Sequence, residues 1–600
     1  MDNNVLVNKI FAGESIDEAK ENANKNGALI TTRRDYVAGL MSKYILANAL
    51  PDDINSAEKE GWLHFHDRDY SAMRGEINCS VPHFETLLSG CVINGTKIVE
   101  PNSIGVAATV LTQLILVLAG GQYGGLSVNN FATLLAPYVY KTRDKEIKEF
   151  GNTDLAEKHV KKAVKDAIQT FNYQLQSFSA SGQIPFISVL LNAPRNDTEA
   201  MIIEEVLRQR LAGMPNEHGT PVTQLFPKLI YVLDDGINLD IDDPYYYLTH
   251  LAAKCSSMRM YPDYISSKKM REIYGGVYTP MGCRSFPTYD RDKEQMKARF
   301  NKGVQTINIK YFADKAKNVE QFYTLFDEGL KMLRKAGEWR VYNMTGTLSD
   351  SSPLHWQYGG LATLKPGEVI DELLLDGNST ISLGYIGLAE AVMKLTRINQ
   401  YLDKANQTLA DEIMTHIKNT ADKWNEQGLT YGRYKGRSIG WSVYGTPAES
   451  LAGSFAEKTR TQRGYLTNSF HVPVWENCLA YNKQEAEGKL AEHSPGGNIT
   501  YVEVPDLTRN TDAIISLLKW GYDHCPYFEI NNRCSDVCDK CGYTGQLEIK
   551  NMHWECPKCH NKDENYLTVV RRVCGYLGSF KRTNINDAKL KEATERVLHL

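Results

Sequence analysis

Apolar and polar positions follow two patterns along the chain. Short apolar runs bounded by polar or turn residues predict strands, and these runs are PFISVLLN at 185–192, PKLIYVLDD at 227–235, GVQTINI at 303–309 and NITYVEV at 498–504. Longer segments between the runs predict helices, for example VEQFYTLFDEGLKMLRKAGEW at 319–339. This alternation predicts an α/β architecture built around a sheet or a barrel.

Helices are predicted in two further regions. Residues 1 to about 60 are polar, and the region from about 100 to 180 combines apolar runs with charged ones. The most apolar stretch, at 104–121, is marginal in length for a membrane span and contains Thr109 and Gln113. It therefore predicts a helix that is buried in the core or at a subunit interface.

The overall composition is that of a globular protein. Of the 600 residues, 42% are hydrophobic and 23% are charged, and the net charge is -4. This balance disfavours a broad surface for nucleic acid or for an anionic membrane, but it is compatible with a small phosphate pocket. The first residues are polar and acidic, without the apolar region of a signal peptide, so secretion is not expected.

Cysteines concentrate near the end of the chain, where seven of the twelve lie between residues 525 and 574. Cys538 and Cys541 form one C-x-x-C pair, Cys556 and Cys559 form a second, and fourteen residues separate the pairs. Each pair can present two thiolates from a tight turn, and the GQLEIKNMHW segment between them predicts a short hairpin. Four thiolates at this spacing predict a structural Zn²⁺ site.

The cysteine-rich segment also suggests a domain boundary. From about residue 521 the composition shifts to Cys, Asn, Asp and Gly. We therefore divide the chain into a larger region at 1–520, which contains the helices near 100–180, and a small module at 521–600.

The segment RRVCGYLGSF at 571–580 places Gly575 between Cys574 and Tyr576. A glycine here has an ordinary interpretation, which is a turn residue with positive φ. It also has a chemical interpretation, because its α-carbon carries only hydrogen as a substituent. A radical at that carbon can be planar and delocalised into both flanking amides. The segment alone leaves both interpretations open.

Arg572–Tyr576 resembles the glycyl-radical motif R-V-x-G-Y, and a four-cysteine site just upstream is similar to the arrangement in anaerobic (class III) ribonucleotide reductases. Further segments match this family in order, namely HFHDRDY at 64–70 with Asn78 and Cys79, QYGG at 122–125, FPK at 226–228, MGCRSF at 281–286, TIN at 306–308, SLGYIGLAE at 382–390, YGTPAES at 444–450 and TNSFHVPV at 467–474. The resemblance covers residues 25 to 585 approximately. The chain is thus identified as a member of this glycyl radical enzyme family, and we expect the short, phage-like catalytic subunit without an ATP-cone.

The resemblance implies a ten-stranded α/β barrel with the glycyl radical loop inserted at one end. It also implies the anaerobic reduction of ribonucleoside triphosphates. An activase with a 4Fe-4S cluster and S-adenosylmethionine would remove a hydrogen atom from Gly575, which would store the radical and pass it to Cys283. The Cys283 thiyl would abstract the 3′ hydrogen of the ribose, while Cys79 would act as a reducing thiol. Asn308 and Ser285 would hydrogen-bond the ribose or the reductant. Formate is the expected reductant, with a thioredoxin-like system as the open alternative.

The segment that follows Gly445 is expected to bind a substrate phosphate. Thr446 suits the N-cap of a helix, Pro447 suits its first position, and Glu449 would complete a capping box. A helix that begins here, with Ala448 and Ser450 in its first turn, would offer free N–H groups and the positive end of its dipole to an anion.

His64 and His66 are expected to lie near the active site. With Asp67 they could be read as a metal pair, but the chain has no evident third ligand to complete such a site. A contact with the substrate is the better interpretation.

The resemblance also implies partners. The helices near 100–180 would form a homodimer interface that binds a dNTP or ATP effector, although Lys141, Arg143 and Lys145 are better explained as a solvated charged face. The other implied partners are a radical S-adenosylmethionine activase, ribonucleoside triphosphates and formate. Neither a membrane nor nucleic acid is an expected partner. The expected location is the cytoplasm of a bacterium or of a phage-infected host.

Two other classes of protein stay open at this point. Formate-lyase or dehydratase relatives share the barrel and R-V-x-G-Y, but they lack the four-cysteine module and the Asn78-Cys79 context. A zinc-ribbon protein that binds nucleic acid would account for the metal site, but not for the near-neutral charge or the other motifs.

Overall fold

The structure, a computed structural model, describes residues 3–12, 29–72, 75–177, 184–287, 298–550, 553–580 and 585–599. Its helices are α1 (Asn3–Ala12), α2 (Ile30–Ala49), α3 (Asp52–Glu60), α4 (Phe84–Ser89), α5 (Ile104–Ala119), α6 (Phe131–Phe150), α7 (Thr153–Gln174), α8 (Asp197–Ala212), α9 (Tyr246–Arg259), α10 (Ser267–Tyr274), α11 (Ile309–Lys315), α12 (Val319–Met344), α13 (Pro353–Trp356), α14 (Leu388–Thr396), α15 (Lys404–Gln427), α16 (Leu451–Lys458), α17 (Ala480–Ala491), α18 (Thr511–His524) and α19 (Asp587–Glu595).

The strands are β1 (Leu63–Phe65), β2 (Cys79–Val81), β3 (Gly90–Ile93), β4 (Thr96–Val99), β5 (Leu126–Val128), β6 (Ile187–Leu191), β7 (Met214–Pro215), β8 (Pro221–Val222), β9 (Lys228–Leu233), β10 (Asp263–Ser266), β11 (Arg299–Asn308), β12 (Thr380–Ile386), β13 (Trp441–Gly445), β14 (Thr500–Val504), β15 (Tyr527–Asn532), β16 (Asp536–Cys538), β17 (Tyr543–Gly545), β18 (Glu548–Lys550), β19 (His553–Glu555), β20 (Leu567–Thr568), β21 (Val570–Arg572) and β22 (Leu577–Ser579).

One large sheet organises the chain. Ten of its strands follow the order β13-β12-β11-β2-β5-β6-β9-β10-β15-β14, and β1 pairs with β11. Strands β2, β5, β6, β9 and β10 are parallel to one another, and the sheet changes direction on both sides of this block, at β11 and at β15. A parallel bridge between Tyr444 of β13 and Gly497, just before β14, links the two ends of the order.

Helices cover the sheet because its strands are apolar on both faces, as is usual where strands are parallel. Every residue of β6 and of β9 is buried. Two large apolar clusters result, one around β5, β6 and β9 beneath the helices from α5 to α9, and one around β11 to β13 beneath α12, α14 and α15. Among the described residues, no helix has both the length and the apolar character that a membrane crossing requires.

The sequence predicted these elements well. The four apolar runs form β6, β9, β11 and β14, and all four lie in the large sheet. The region from about 100 to 180 contains α5, α6 and α7, and the apolar stretch at 104–121 is the half-buried α5. The helices predicted for residues 1 to about 60 are present as α1, α2 and α3, while residues 13–28 lie outside the described part.

The boundary expected near residue 521 does not coincide with a break in the fold. Residue 521 lies inside α18, and the next strand, β15, is inserted between β10 and β14 of the large sheet. The separate small sheets of the C-terminal part begin at β16, after β15. The change in composition precedes the end of the large sheet because β15, YFEINN, carries Asn and Glu residues at buried positions.

The C-terminal part consists of short antiparallel elements. Strands β17, β16 and β20 form one sheet, and β18 pairs with β19 as the predicted hairpin. Strands β21 and β22 form a further hairpin, with residues 573–576 at its tip. This last hairpin carries Gly575, and it is called the Gly575 hairpin below.

Candidate active site

Gly575 lies at the tip of its hairpin against the turn that carries Cys283. A Cβ atom built on Gly575 would lie 2.9 Å from the Cβ of Cys283, closer than real side chains approach one another. The φ angle of Gly575 is not positive, so an ordinary turn does not explain the residue. Glycine is required here because any side chain would collide with the Cβ atom of Cys283.

Three polar side chains on adjacent strands hold the Cys283 turn. Ser127 Oγ donates to the carbonyl of Pro280, Ser188 Oγ donates to that of Gly282, and Lys228 Nζ donates to that of Cys283 over 2.8 Å. Ser127 pairs with Ser188, and Ser188 pairs with Lys228, across the parallel strands β5, β6 and β9. Strand register therefore sets the position of the turn, and we call these three side chains the Ser-Ser-Lys row.

Cys283 and Cys79 line the same cavity, which has a volume of about 280 Å³. This cavity is called the central cavity below. The side chains at its wall include most of those that the sequence singled out, namely His64, His66, Cys79, Cys283, Thr446, Pro447, Glu449 and Ser450. A second cavity of about 480 Å³ shares His64, Ser450 and Leu451 with it. A ligand with a charged tail could extend through both.

The Cys79 thiol has a defined set of partners. Its S–H donates to Oδ1 of Asn78 over 2.7 Å, and the N–H of Gly125 donates to its sulfur over 3.1 Å. Asn78 in turn donates to a carboxylate oxygen of Asp67 over 3.2 Å. Burial raises the pKa of Cys79 well above that of a free thiol, and burial also raises the pKa of Asp67 to about 6. Cys79 is thus held as a protonated thiol.

The two histidines have different partners, and only His66 belongs to a hydrogen-bonded chain. His66 Nε2 bonds Thr306 Oγ1 over 2.7 Å, and Thr306 bonds Thr446 Oγ1 over 2.8 Å. His64 instead pairs with Glu58, with 3.2 Å between its Nδ1 and a carboxylate oxygen of Glu58. Burial lowers the pKa of His66 well below its usual value, so this imidazole is neutral. Among the described residues, the one group of side chains that could hold a metal ion consists of four cysteines and contains neither histidine.

The capping box predicted at Thr446 is wrong. The helix begins at Leu451, with Ser450 as its N-cap, because the hydroxyl of Thr446 is already bonded to Thr306. Glu449 does not turn back towards Thr446, because it accepts a hydrogen bond of 2.9 Å from the hydroxyl of Tyr576. The N-terminus of α16 nonetheless lies at the wall of both cavities.

Glu449 links the cavity wall to the Gly575 hairpin. Cys574 Sγ also lies near its carboxylate, at 3.5 Å, and the ring of Tyr576 packs edge-on against Phe186 with centroids 4.8 Å apart. Burial raises the pKa of Glu449 to about 7, and the hydrogen bond from Tyr576 only partly offsets this. Cys574 is buried in this packing.

Three predicted site residues do not reach the central cavity. Asn308 is the N-cap of α11, with its side chain bonded to the carbonyl of Gly61 over 3.1 Å and to the N–H of Tyr311. Ser285 is buried behind the Cys283 turn, and no described residue bonds its hydroxyl. Ala448 lines a separate small cavity behind the hairpin. Their positions in segments that match the family gave no information about the direction of each side chain.

Several residues at the site were not assigned a role from the sequence. Tyr444 lies 3.7 Å from the sulfur of Cys283, Asn78 and Asp67 support Cys79, and Lys228 supports the Cys283 turn. The sequence contained a clue to Lys228, because a lysine at the start of a fully buried strand requires a partner inside the protein.

The four predicted metal ligands come together. The sulfur atoms of Cys538, Cys541, Cys556 and Cys559 all lie within 4.8 Å of one another. Two of the separations are 3.7 Å, from Cys538 to Cys559 and from Cys541 to Cys556. Four sulfurs at about 2.3 Å from a tetrahedral Zn²⁺ would lie about 3.8 Å apart, so the donor set fits this ion.

The cations proposed for the effector region are mostly paired. Lys141 Nζ lies 2.6 Å from a carboxylate oxygen of Glu100, and Arg143 Nε lies 2.5 Å from a carboxylate oxygen of Glu157. Lys145 is exposed on the same helix, α6. These positions agree with a solvated charged face.

Comparison with known sequences gives a consistent result. A family model described as anaerobic ribonucleoside-triphosphate reductase matches residues 21–599. The anaerobic ribonucleoside-triphosphate reductase of Enterobacteria phage T4 is 33% identical over 611 residues, covering 97% of this chain and 97% of the relative. The enzyme of the same description from Escherichia coli (strain K12) is 33% identical, covering 97% of this chain and 83% of the relative.

Comparison with solved structures identifies the fold. An anaerobic ribonucleotide reductase superposes with a TM-score of 0.69 at 16% identity, over 95% of this chain and 88% of that chain. The enzyme from Thermotoga maritima in complex with dATP and CTP gives 0.65 at 15% identity, over 92% and 89%. A hydroxyproline dehydratase from Clostridioides difficile gives 0.62 at 10% identity, over 93% and 84%. Reductases and a dehydratase thus share this fold, so the fold by itself does not determine the reaction.

Proposed function

Since this chain belongs to the anaerobic ribonucleoside-triphosphate reductases, a family of oxidoreductases, we propose that it reduces ribonucleoside triphosphates by a glycyl and thiyl radical mechanism. Gly575 stores the radical, Cys283 receives it in each turnover, and Cys79, which lines the same cavity, acts on the substrate as a reducing thiol. The product is a 2′-deoxyribonucleoside triphosphate for DNA synthesis.

One observation carries this proposal. The α-carbon that would hold the radical lies directly against Cys283, which lines the same cavity as Cys79. Transfer of a hydrogen atom requires such proximity, because the reacting atoms must meet without a large movement. A structural glycine in a turn would not need to lie beside a cysteine at the cavity wall.

One hydrogen atom moves from Cys283 to Gly575 when the radical is transferred. The S–H bond of Cys283 breaks and a C–H bond forms at Gly575, which leaves a thiyl radical facing the substrate. The thiyl then removes the 3′ hydrogen of the ribose, and this hydrogen returns to carbon at the end of the cycle. Bound between Cys283 and Cys79, the ribose can lose its 2′-hydroxyl as water.

We propose formate as the overall reductant. Its oxidation to CO₂ supplies two electrons, so that ribonucleoside triphosphate and formic acid yield deoxyribonucleoside triphosphate, CO₂ and water. The protonated thiol of Cys79, held by Asn78 and Gly125, is the hydrogen donor on the protein side.

We place the substrate phosphates at the N-terminus of α16. Ser450 and Leu451 lie at the wall shared by the two cavities, and the first N–H groups of a helix attract anions. The neutral His66 and the exposed edge of His64 line the same space and are proposed as substrate contacts.

The remaining proposals concern structure and partners. The order of ten strands and the bridge at Tyr444 support a closed ten-stranded barrel. The four cysteines are proposed to hold Zn²⁺, which would supply a structural crosslink. A homodimer with a nucleotide effector at the α5 to α7 region and a radical S-adenosylmethionine activase complete the expected system.

Electron paramagnetic resonance under strict anaerobiosis tests the proposal. The protein would be combined with a matching activase, S-adenosylmethionine and a reductant. We expect a doublet from the single remaining α-hydrogen of Gly575. The doublet should collapse when the protein is labelled with α-deuterated glycine, and it should be missing in Gly575→Ala.

Turnover is measured next, as conversion of CTP with ¹³C-formate to dCTP and ¹³CO₂. Cys283→Ala should retain the doublet and lose turnover. If the activase is competent on another protein but no doublet forms here, the radical mechanism is excluded. A doublet without nucleotide reduction would favour another glycyl radical reaction.

A further inference from the structure

We propose that Lys228 is a positioning residue for radical transfer: its ammonium group holds the carbonyl oxygens of Gly575 and Cys283 together and polarises the amide next to the radical carbon. This inference rests on the proposed function, since it assigns a role in the step between these two residues. It goes beyond that function because it identifies what fixes the two reacting residues relative to each other.

The contacts of the ammonium group are the first observation. Lys228 Nζ donates to the carbonyl of Gly575, to the carbonyl of Cys283 over 2.8 Å, and to Asp263 Oδ2 over 3.0 Å. An ammonium group has three N–H donors, and these three acceptors use all of them. Two of the acceptors belong to the residues that exchange the hydrogen atom. A single atom therefore sets the separation of the two backbones.

The burial of the ion pair is the second observation. The side chains of Lys228 and Asp263 are both 0% exposed. Burying two charges is costly, and replacement by apolar residues is often neutral or stabilising. A core that required only stability would not need a lysine at this place. The charge is explained if its hydrogen bonds to the two carbonyls are needed.

The surroundings of Asp263 are the third observation. Its carboxylate accepts a hydrogen bond from the hydroxyl of Tyr527 over 2.9 Å and one from the guanidinium of Arg572 over 3.0 Å. Arg572 also lies 2.6 Å from Glu529. Arg572 belongs to the same hairpin as Gly575. Asp263 therefore anchors one arm of the hairpin through Arg572 and the tip of the hairpin through Lys228. The arginine of the R-V-x-G-Y segment thus helps to position the hairpin.

The position of the cation also has an electronic effect. A radical at the α-carbon of Gly575 is delocalised into the adjoining amide, and some of its spin density lies on the carbonyl oxygen. A positive charge that donates a hydrogen bond to that oxygen strengthens this delocalisation. The spin density on the α-carbon falls accordingly, and so does its coupling to the α-hydrogen. A lysine with a purely structural role elsewhere would have no such effect.

The first experiment uses the wild-type protein, so protein folding is not in question. The full chain would be prepared with ¹⁵N-labelled lysine side chains and activated, and electron–nuclear double resonance would be recorded on the glycyl radical. We expect a ¹⁵N coupling, together with coupling to exchangeable hydrogens that disappears in ²H₂O. A radical without ¹⁵N coupling would overturn the proposal.

The second experiment compares two variants. In Lys228→Met we expect a wider α-hydrogen doublet and a fall in CTP turnover of about 10- to 100-fold, because the reacting residues lose their common anchor. Lys302→Met is the matched control, since Lys302 is also buried and donates to backbone carbonyls, those of Leu374 and Ile439. It should leave the doublet unchanged.

The outcomes separate this inference from the proposed function. If activated wild-type protein gives no glycyl doublet, the proposed function fails, and this inference fails with it. If the wild-type protein gives the doublet but Lys228→Met has the same splitting and turnover, only the role of Lys228 is excluded. If Lys228→Met does not fold, the ¹⁵N coupling of the wild-type protein decides.

Discussion

Gly575 illustrates how one residue can meet a steric and a chemical requirement together. Its missing side chain allows the hairpin tip to approach within contact of Cys283. The same absence leaves hydrogen atoms on the α-carbon, from which a radical can be generated. The sequence could raise both interpretations of this glycine, but only the proximity in the fold shows that a turn is not the reason for it.

Glu449 gives a testable pH dependence at the residue scale. Burial raises its pKa from 4.5 to about 7, so the folded protein retains a proton that the unfolded chain releases. The free energy of unfolding therefore falls as the pH rises from about 4.5 to 7, by up to about 3 kcal/mol from this residue. Glu449→Gln, which cannot ionise, should lose less stability over that range.

Calorimetric unfolding of wild type and Glu449→Gln between pH 5 and pH 8 checks this expectation. As the pH rises, the unfolding temperature of Glu449→Gln should increase relative to that of the wild-type protein. Parallel pH profiles would mean that Glu449 ionises at its ordinary pKa. The C=O stretch of the protonated acid, measured by difference infrared spectroscopy, provides an independent titration.

Residue spacing was the most informative signal for individual residues. The four clustered cysteines come together as their two C-x-x-C pairs predicted. Cys79 and Cys283, which the family resemblance named, line one cavity, and their roles in the reaction stay predictions. Thr446 and Asn308 were less predictable, since hydroxyl and amide groups bond whichever neighbour the fold supplies. Those neighbours, Thr306 and the carbonyl of Gly61, are distant in sequence.

At the scale of elements, the four-cysteine module supports the Gly575 hairpin. Strand β16, which ends at Cys538, pairs with β20, and Asp536 accepts a hydrogen bond from the N–H of Val570 over 3.0 Å. On the other arm, Trp554 Nε1 donates to the carbonyl of Phe580 over 2.6 Å. Both arms of the hairpin thus depend on the module.

Loss of the metal ion should therefore impair radical formation. In Cys556→Ser we expect loss of bound zinc and a glycyl radical yield at least about tenfold lower, because metal binding supplies most of the folding energy of such small modules. Elemental analysis and spin quantification measure the two quantities. Cys534→Ser is the control, since Cys534 donates to the carbonyl of Ser257 and is not one of the clustered cysteines.

A normal radical yield in metal-free Cys556→Ser would show that the hairpin is stable without the module. A loss of radical in both variants would point to general damage rather than to the metal site. The expected pattern is loss in Cys556→Ser only.

Elements were predictable to different extents from the sequence. The strands β6 and β9 are continuous apolar runs and were found with almost their full bounds. Strand β15 was missed because YFEINN carries buried polar residues that find partners inside the sheet, such as Asn531 with Glu503. A pattern based on hydrophobicity cannot detect a strand whose buried side chains are polar.

For the whole molecule, the proposed homodimer is expected to use the exposed face of α5. Val106 and Val117 are 45% and 42% exposed, and Thr109 and Gln113 lie between them on the same side of the helix. Eight of the sixteen residues of this helix are buried in the core. An uncharged stripe on the surface of a large protein is a suitable interface between two copies.

We expect Val117→Glu to convert a dimer into a monomer of 67.6 kDa, because the introduced charge would be buried at the contact. Light scattering after size-exclusion chromatography measures the mass. Leu479→Glu, which changes another exposed hydrophobic residue, should leave the dimer intact. A monomeric wild-type protein, or a dimeric Val117→Glu, would exclude this interface.

The arrangement of the whole sheet was the least accessible property from sequence alone. Periodicity predicts which residues form strands, but it does not give their order. The placement of β2 beside β11, which joins strands from distant parts of the chain, depends on long-range pairing. Family resemblance supplied the expectation of a barrel, and the physical patterns supplied only the α/β class.

The Ser-Ser-Lys row makes catalytic competence dependent on correct strand pairing. Successive side chains of a strand point to opposite faces, so a slip of one residue in β5, β6 or β9 would turn its polar side chain away from the Cys283 turn. Under the proposed mechanism, a chain with such a pairing error could keep its secondary structure, but its Cys283 thiol would lie out of reach of Gly575. A copy with misregistered strands would therefore not convert a stored glycyl radical into a thiyl radical.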